Sequence, residues 1–203
     1  MQIGPCLFAG EQRAAAPQLR LVQGLDATDR DSARGQARAA LRTCLAPELG
    51  CTEAELEVSN LRNQAPRLLL RGKPLAAPHC SISHAPGLAL LAWHGRGAVG
   101  VDIQAVDATV PRRELEDVVR LFLRPETARK LLDIAPDTLF FEAFASAWTQ
   151  HEARLKCAGL GLAEWSGSLQ ARLTGMDCAP LEPAAGYAGA VAWYGAAGSG
   201  GLR

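Results

Sequence analysis

The sequence predicts an α+β chain of two similar α/β lobes in pseudo-twofold arrangement, and three observations carry that prediction. Each half reads as helix followed by strands. Helical and strand periodicities are segregated rather than alternating. The 203 residues, 48% hydrophobic and 21% charged, suffice for one sizeable core or two small fused ones. The likeness between the halves is one of pattern, without a residue-level repeat. The boundary falls after residue 101, giving an N-terminal lobe of residues 1–101 and a C-terminal lobe of residues 102–203.

The elements follow in order. Gln18 to Gln23 alternates as a strand. Thr28-Asp29-Arg30-Asp31-Ser32 offers N-cap residues for a helix to about Ala46, with Arg34, Arg38 and Arg42 stacked on one face. Leu56 to Leu61, Arg67 to Arg71, His79 to Ser83, Leu88 to Trp93 and Ala98 to Gln104 are short strand-like runs punctuated by Pro or Gly. The second half turns helical, with Pro111 to Phe122, Pro125 to Asp133 and a long helix from Asp137 to about Ala158. Gly159 and Gly161 end that helix and turn the chain. Trp165 to Thr174 and Tyr187 to Tyr194 are expected as strands.

Composition excludes several classes of function. With 21 Lys plus Arg against 21 Asp plus Glu, the chain lacks the basic excess of a nucleic-acid or anionic-membrane binder. The balance is the sum of unlike halves: residues 1–101 carry 11 basic and 8 acidic side chains, residues 102–203 carry 10 and 13. The first ten residues read as no secretory signal, and no apolar run reaches membrane-spanning length. The six cysteines are scattered without a CxxC, as expected of reduced thiols in a cytoplasmic protein, and His79, Cys80 and His84 lack the second ligand pair of a zinc site.

Two segments carry chemistry. Val99-Gly100-Val101-Asp102-Ile103-Gln104 sets an acid inside an apolar strand, with Asp102 and Gln104 on one face. Such a carboxylate must be paired, hydrogen-bonded or bound to a metal. In the long helix, Trp148, Glu152 and Lys156 recur every four residues and share a face. Glu152 and Lys156 alone are most simply a surface ion pair. Lysine is scarce, however, with only Lys73, Lys130 and Lys156 in the chain. Ser83 beside His84 does not make a hydrolase, because strand neighbours face opposite ways and no GxSxG elbow is present.

Gly72-Lys73-Pro74, Ser81-Ile82-Ser83-His84, Gly100-Val101-Asp102-Ile103, Phe122-Leu123-Arg124-Pro125-Glu126 and Trp148-Thr149-x-x-Glu152-Ala153-x-x-Lys156 with Gly159-Leu160-Gly161-Leu162 run in this order over roughly residues 70–165. Together they resemble the 4′-phosphopantetheinyl transferase family, in its larger, two-lobe Sfp-type class. The resemblance implies coenzyme A as substrate in a cleft between the lobes. The implied reaction is attack by a carrier-protein serine on the β-phosphate, giving holo-carrier and adenosine 3′,5′-bisphosphate. Acyl or peptidyl carrier proteins of fatty-acid, polyketide or peptide synthases are the implied partners, and a monomer is the implied state.

The resemblance also implies roles. Asp102 and Glu152 stand as ligands of Mg²⁺, or of Mn²⁺ in its place, with Gln104 supplying a carbonyl or holding a water; hard oxygens beside a pyrophosphate suit that ion. Lys156 neutralises phosphate charge, and Glu152, directly or through water, takes the serine proton. Lys73, Pro74, Ser83 and His84 resemble the coenzyme A segment, His84 and Ser83 toward the 3′-phosphate. Arg38 and Arg42 add phosphate contacts on the strength of the basic stripe. Leu121 and Arg124 are expected to contribute to the carrier-docking surface, with Phe122 beside them but read first as a core residue. Two positions depart from the family pattern. Gln104 stands where many members have a third acid, and His151, placed with the coenzyme A-binding set, stands where a lysine is frequent. His151→Lys is therefore expected to hold or raise transfer. The same departures leave open a coenzyme A-binding or carrier-binding protein with reduced or lost activity.

Overall fold

The computed structural model describes residues 1–9, 16–25, 29–59, 61 and 64–195. Thr28 and Asn60, which fall in the expected N-cap run and in the expected strand from Leu56 to Leu61, lie outside the described residues. In chain order the elements are β1 (Gln2–Pro5), β2 (Leu7–Phe8), β3 (Gln18–Gln23), α1 (Arg30–Glu48), β4 (Leu56–Val58), β5 (Leu68–Leu70), β6 (Lys73–Pro74), β7 (His79–Ala85), β8 (Leu88–His94), β9 (Val99–Ala105), α2 (Arg112–Phe122), α3 (Pro125–Leu132), α4 (Asp137–Cys157), α5 (Gly167–Arg172), β10 (Met176–Glu182) and β11 (Tyr187–Tyr194).

Among the described residues the strands form antiparallel sheets ordered β1-β3-β8-β7 and β2-β10-β11-β9, with a small third sheet β4-β5-β6. The period of two in β8 explains their packing. Ala89, Leu91 and Trp93 join Ala37, Ala40, Leu41 and Leu45 of α1 in one core. Leu88, Leu90 and Ala92 point the other way and meet Val99, Val101 and Ile103 of β9 with Val191 and Trp193 of β11. The two sheets therefore share an inner core, and each carries a long helix on its other face. On the second sheet that helix is α4, whose Ala153 and Cys157 pack on Ala190 and Ala192. The N-terminal β2 pairs with β10, so the second sheet takes a strand from the first ten residues.

Local chemistry accounts for the ends of the helices. The Asp29 carboxylate accepts from the amides of Asp31 and Ser32 and caps α1, which runs past Ala46 to Glu48. At the end of α4, Gly159 adopts φ +65°, its amide donates to the Lys156 carbonyl at 3.1 Å, and the Leu160 amide reaches the Leu155 carbonyl at 2.9 Å. This is a Schellman cap, and it fixes the backbone of Lys156. Phe140 and Phe144 stack, Phe144 stacks on Trp148, and Phe122 of α2 meets Trp148 edge-on. An aromatic ladder thus runs up α4 and ties Trp148 to α2.

The expected strand over Trp165 to Thr174 is instead helical at α5. Ser166 accepts from the Leu169 amide as N-cap, and Leu169 and Leu173, four residues apart, face Leu155 in one cluster. The four-residue recurrence outweighs the local strand propensity. β10 was not expected from the sequence. Pro180 interrupts it, but a proline is tolerated where the neighbouring strand is the two-residue β2 and only the Pro180 carbonyl, which accepts from Ala9, is used.

Candidate active site

A cleft of about 610 Å³ opens where α1, β7, β9 and α4 converge. β9 supplies its outer face. Val99, Val101 and Ile103 turn into the shared core, so Gly100, Asp102 and Gln104 turn toward α4. A Cβ on Gly100 would overlap the Ala153 carbonyl oxygen and the Cys157 amide nitrogen. Glycine there lets the backbone of α4 lie directly on the strand, one residue pair away from Asp102.

That approach brings the α4 face of Trp148, Glu152 and Lys156 over Asp102, and all four residues line the cleft. Lys156 Nζ lies 2.7 Å from Asp102 Oδ1 and donates to the Ser83 hydroxyl at 3.1 Å. Ser83 in turn donates to Asp102 Oδ1 at 2.8 Å. Asp102 is only 7% exposed, and these two donors offset the loss of hydration of its carboxylate. Ser81, two residues before Ser83 on the same face of β7, accepts from the Val101 amide at 3.0 Å and joins the two sheets. Burial first, and then the nearby Asp102 charge, raise the Glu152 pKa above the usual carboxylate value, while Lys156 opposes the shift.

Across the cleft stand Arg34 and Arg38 of α1. Arg38 donates to the Ser59 carbonyl at 2.9 Å and to the Arg34 carbonyl at 3.1 Å, so its guanidinium is aimed rather than free to swing. Burial and Arg34 both depress its pKa. Leu61, Pro66, Leu160 and Leu162 add an apolar wall.

The residues expected to act together divide into two groups. Asp102, Gln104, Glu152, Lys156, Ser83, His84 and Arg38 line the cleft. Lys73 and Pro74 are exposed in β6 and are not part of its lining. Arg42, one turn beyond Arg38, sits in a shallow depression with Glu53 and Glu57. His151 is 5% exposed and lies between Trp148 and Trp165, in a separate recess with Arg124 and Arg154. Arg34, Gly100, Leu160 and Leu162 belong to the basic stripe and the motifs of the sequence, but no role at the site follows for them from the sequence alone. An isolated glycine inside an apolar strand is a signal for close backbone approach, and it could have identified Gly100.

Chemically the cleft combines two close carboxylates, a carbonyl and a hydroxyl with three cationic side chains. Among the described residues no group of three or more His, Cys, Asp and Glu is placed to hold a metal, so a cation would rest on two carboxylates with neutral oxygens. No described helix is long and apolar enough to cross a membrane.

Residues 98–193 match the 4′-phosphopantetheinyl transferase superfamily. The matched segment spans β9 to β11 with α2 to α5 between them, and so includes Asp102, Glu152 and Lys156. It indicates a transferase domain of the phosphopantetheinyl type, in a mixed α+β fold consistent with that family. None of the curated proteins compared with the chain matches it.

Proposed function

We propose that the chain transfers the 4′-phosphopantetheine arm of coenzyme A to a serine of an acyl or peptidyl carrier protein, releasing adenosine 3′,5′-bisphosphate. The observation that carries this reading is the convergence of Asp102, Glu152 and Lys156, all within the matched segment, on one cleft faced by Arg34 and Arg38. On this reading the chain is a two-lobe, Sfp-type monomer, with lobes 1–101 and 102–203 contributing opposite walls.

The donor set fits a hard divalent cation. Asp102, Glu152 and the Gln104 carbonyl are all oxygen donors, and the burial and nearby Asp102 charge that raise the Glu152 pKa are costs a bound cation would offset. Mg²⁺ bound there would neutralise pyrophosphate charge and orient it for displacement.

The chain's own residues do the rest. Arg34, Arg38 and His84 grip the phosphates of coenzyme A at one wall, while Lys156 meets the pyrophosphate at the other. The serine oxygen attacks the β-phosphorus, the pyrophosphate P–O bond breaks, and the bisphosphate leaves with that oxygen. Glu152 accepts the serine proton, and its raised pKa makes it a better base than an ordinary surface carboxylate. Ser83 holds Asp102 in place throughout.

The test is incubation of an apo carrier protein with coenzyme A, Mg²⁺ and this chain, followed by intact mass spectrometry. A gain of one phosphopantetheine on the carrier supports the reading. Absence of that gain across fatty-acid, polyketide and peptide carriers would sink it, and coenzyme A binding without transfer would leave a binding protein.

A further inference from the structure

A second recess, of about 160 Å³, lies on a different side of α4 from the cleft, and Arg124, Thr127, Gln150, His151, Arg154 and Trp165 line it. Two independent features of this recess call for an anion. The first is an unsatisfied buried ring nitrogen. His151 is 5% exposed, and its Nε2 has no hydrogen-bond partner, although buried polar atoms of native proteins nearly always have one. The second is positive charge without a counter-charge. Arg124 and Arg154 both reach the recess, and no acidic side chain is among the residues lining it.

The start of α3 adds to that charge. Arg124 is its N-cap residue and makes no side-chain cap, Pro125 follows at the first helical position, and Thr127 lies in the first turn. No side chain caps the start of the helix, and Glu126 is the acid of its first turn. Arg124 packs over the Trp165 ring at 5.7 Å, which orients its fork. Arg154 spends one nitrogen on the Gln150 carbonyl at 3.1 Å and keeps the rest of its fork. The nearest acid to Arg124 is Glu126, at 4.0 Å, and both of those side chains are mostly exposed.

We propose that this recess is a binding site for a tetrahedral oxyanion of the phosphate class, held by the guanidiniums of Arg124 and Arg154, the Nε2–H of His151 and the first turn of α3. A water would satisfy His151 but bring no negative charge into a recess that Arg124 and Arg154 line without an acid. The volume equals about five waters, enough for a phosphate group and too small for a nucleotide. Donors arriving from both α3 and α4 match a tetrahedral group better than a planar carboxylate, which a single guanidinium fork saturates. The recess is separate from the cleft, so the inference does not depend on the transferase reading.

The test follows the imidazole directly. Inorganic phosphate is titrated into the ¹⁵N-labelled full chain without coenzyme A or carrier, and the His151 ring nitrogens are read by NMR, assigned with His151→Phe. The expected result is a saturable shift at Nε2, with affinity reduced at least about tenfold in Arg124→Gln and further in the Arg124→Gln/Arg154→Gln variant. The same shift should persist in Lys156→Met, which removes a cation from the cleft. Arg124 is half-exposed, so its single variant serves even if the double variant does not fold. The proposal is overturned if Nε2 does not respond to phosphate, if its response is unchanged in Arg124→Gln, or if it disappears in Lys156→Met. Acetate producing an equal or tighter response would overturn the tetrahedral assignment.

Discussion

The Lys156 ammonium bonds Asp102 across 54 positions of sequence, at 2.7 Å, and shares that carboxylate oxygen with the Ser83 hydroxyl. A residue pair that reads locally as Glu152 with Lys156 is resolved in the fold as a link between α4 and β9. The two partners are unequal: the Lys156 side chain is 32% exposed and that of Asp102 is 10% exposed.

That inequality predicts an asymmetric response. Lys156→Met leaves a nearly buried carboxylate without its cation and should lower stability by about 2 kcal/mol. Asp102→Asn keeps a hydrogen-bonding side chain and lets Lys156 rehydrate, so it should cost less than about 1 kcal/mol. Urea unfolding at pH 7 without divalent metal checks the order. Both variants should lose transfer by at least about 100-fold.

Glu152→Gln separates chemistry from stability. Because the folded state raises the Glu152 pKa, the ionised carboxylate is a burden on the fold once the pH rises through the ordinary carboxylate value. A neutral isostere removes that burden. The variant should melt at the same temperature or higher at pH 7 by calorimetry without metal, while transfer falls by at least about 100-fold.

His151 makes stability depend on pH in the opposite sense. Burial, and then Arg154, lower its pKa from 6.5 to about 4, with Arg124 facing the same recess. The unfolded chain takes up a proton below pH 6.5 that the folded chain refuses down to about pH 4. The His151 contribution to stability is therefore complete above pH 6.5 and declines across that window. Denaturant midpoints between pH 7 and 4.5 should fall less steeply in His151→Gln than in the parent chain.

Gly100→Ala tests the contact between α4 and β9. The added methyl meets backbone atoms of Ala153 and Cys157, which cannot rotate away as a side chain would. The expected loss is about 2–4 kcal/mol in urea unfolding, with transfer reduced even where the protein stays folded, because Lys156 and Glu152 move away from Asp102.

The face that lines the cleft was legible in the sequence because it rests on two periodicities. A spacing of four places Trp148, Glu152 and Lys156 together, and a period of two separates Asp102 from the core-facing Val101 and Ile103. The same period distinguishes Ser83 from His84: both line the cleft, but Ser83 shares the face of Ser81 and bonds Asp102 directly. His151 was harder to place, since its position depends on Trp165, a residue beyond the end of α4. With the imidazole buried beside Arg154 and facing Arg124, His151→Lys would bring a third cation into the recess and should lower stability, a readout separate from the transfer expected to hold or rise. Helix α5 was missed for a related reason, since it is set by packing on Leu155 of α4, whereas β10 pairs with its neighbour β11 and was obscured by Pro180 within it.

The hydrogen bond from the Val101 amide to the Ser81 hydroxyl has a consequence for solubility. β7 and β9 are the last strands of their sheets, and an exposed last strand is a template for foreign chains. Here the two strands face each other, and the Val101 amide of β9 is taken by a side-chain oxygen of β7 instead of a foreign strand. The opposite edges are blunted differently: β1 ends in Pro5, and β2 is two residues long. The seam that positions Ser83 beside Asp102 thereby also guards the two sheet edges from which strand-by-strand aggregation would start.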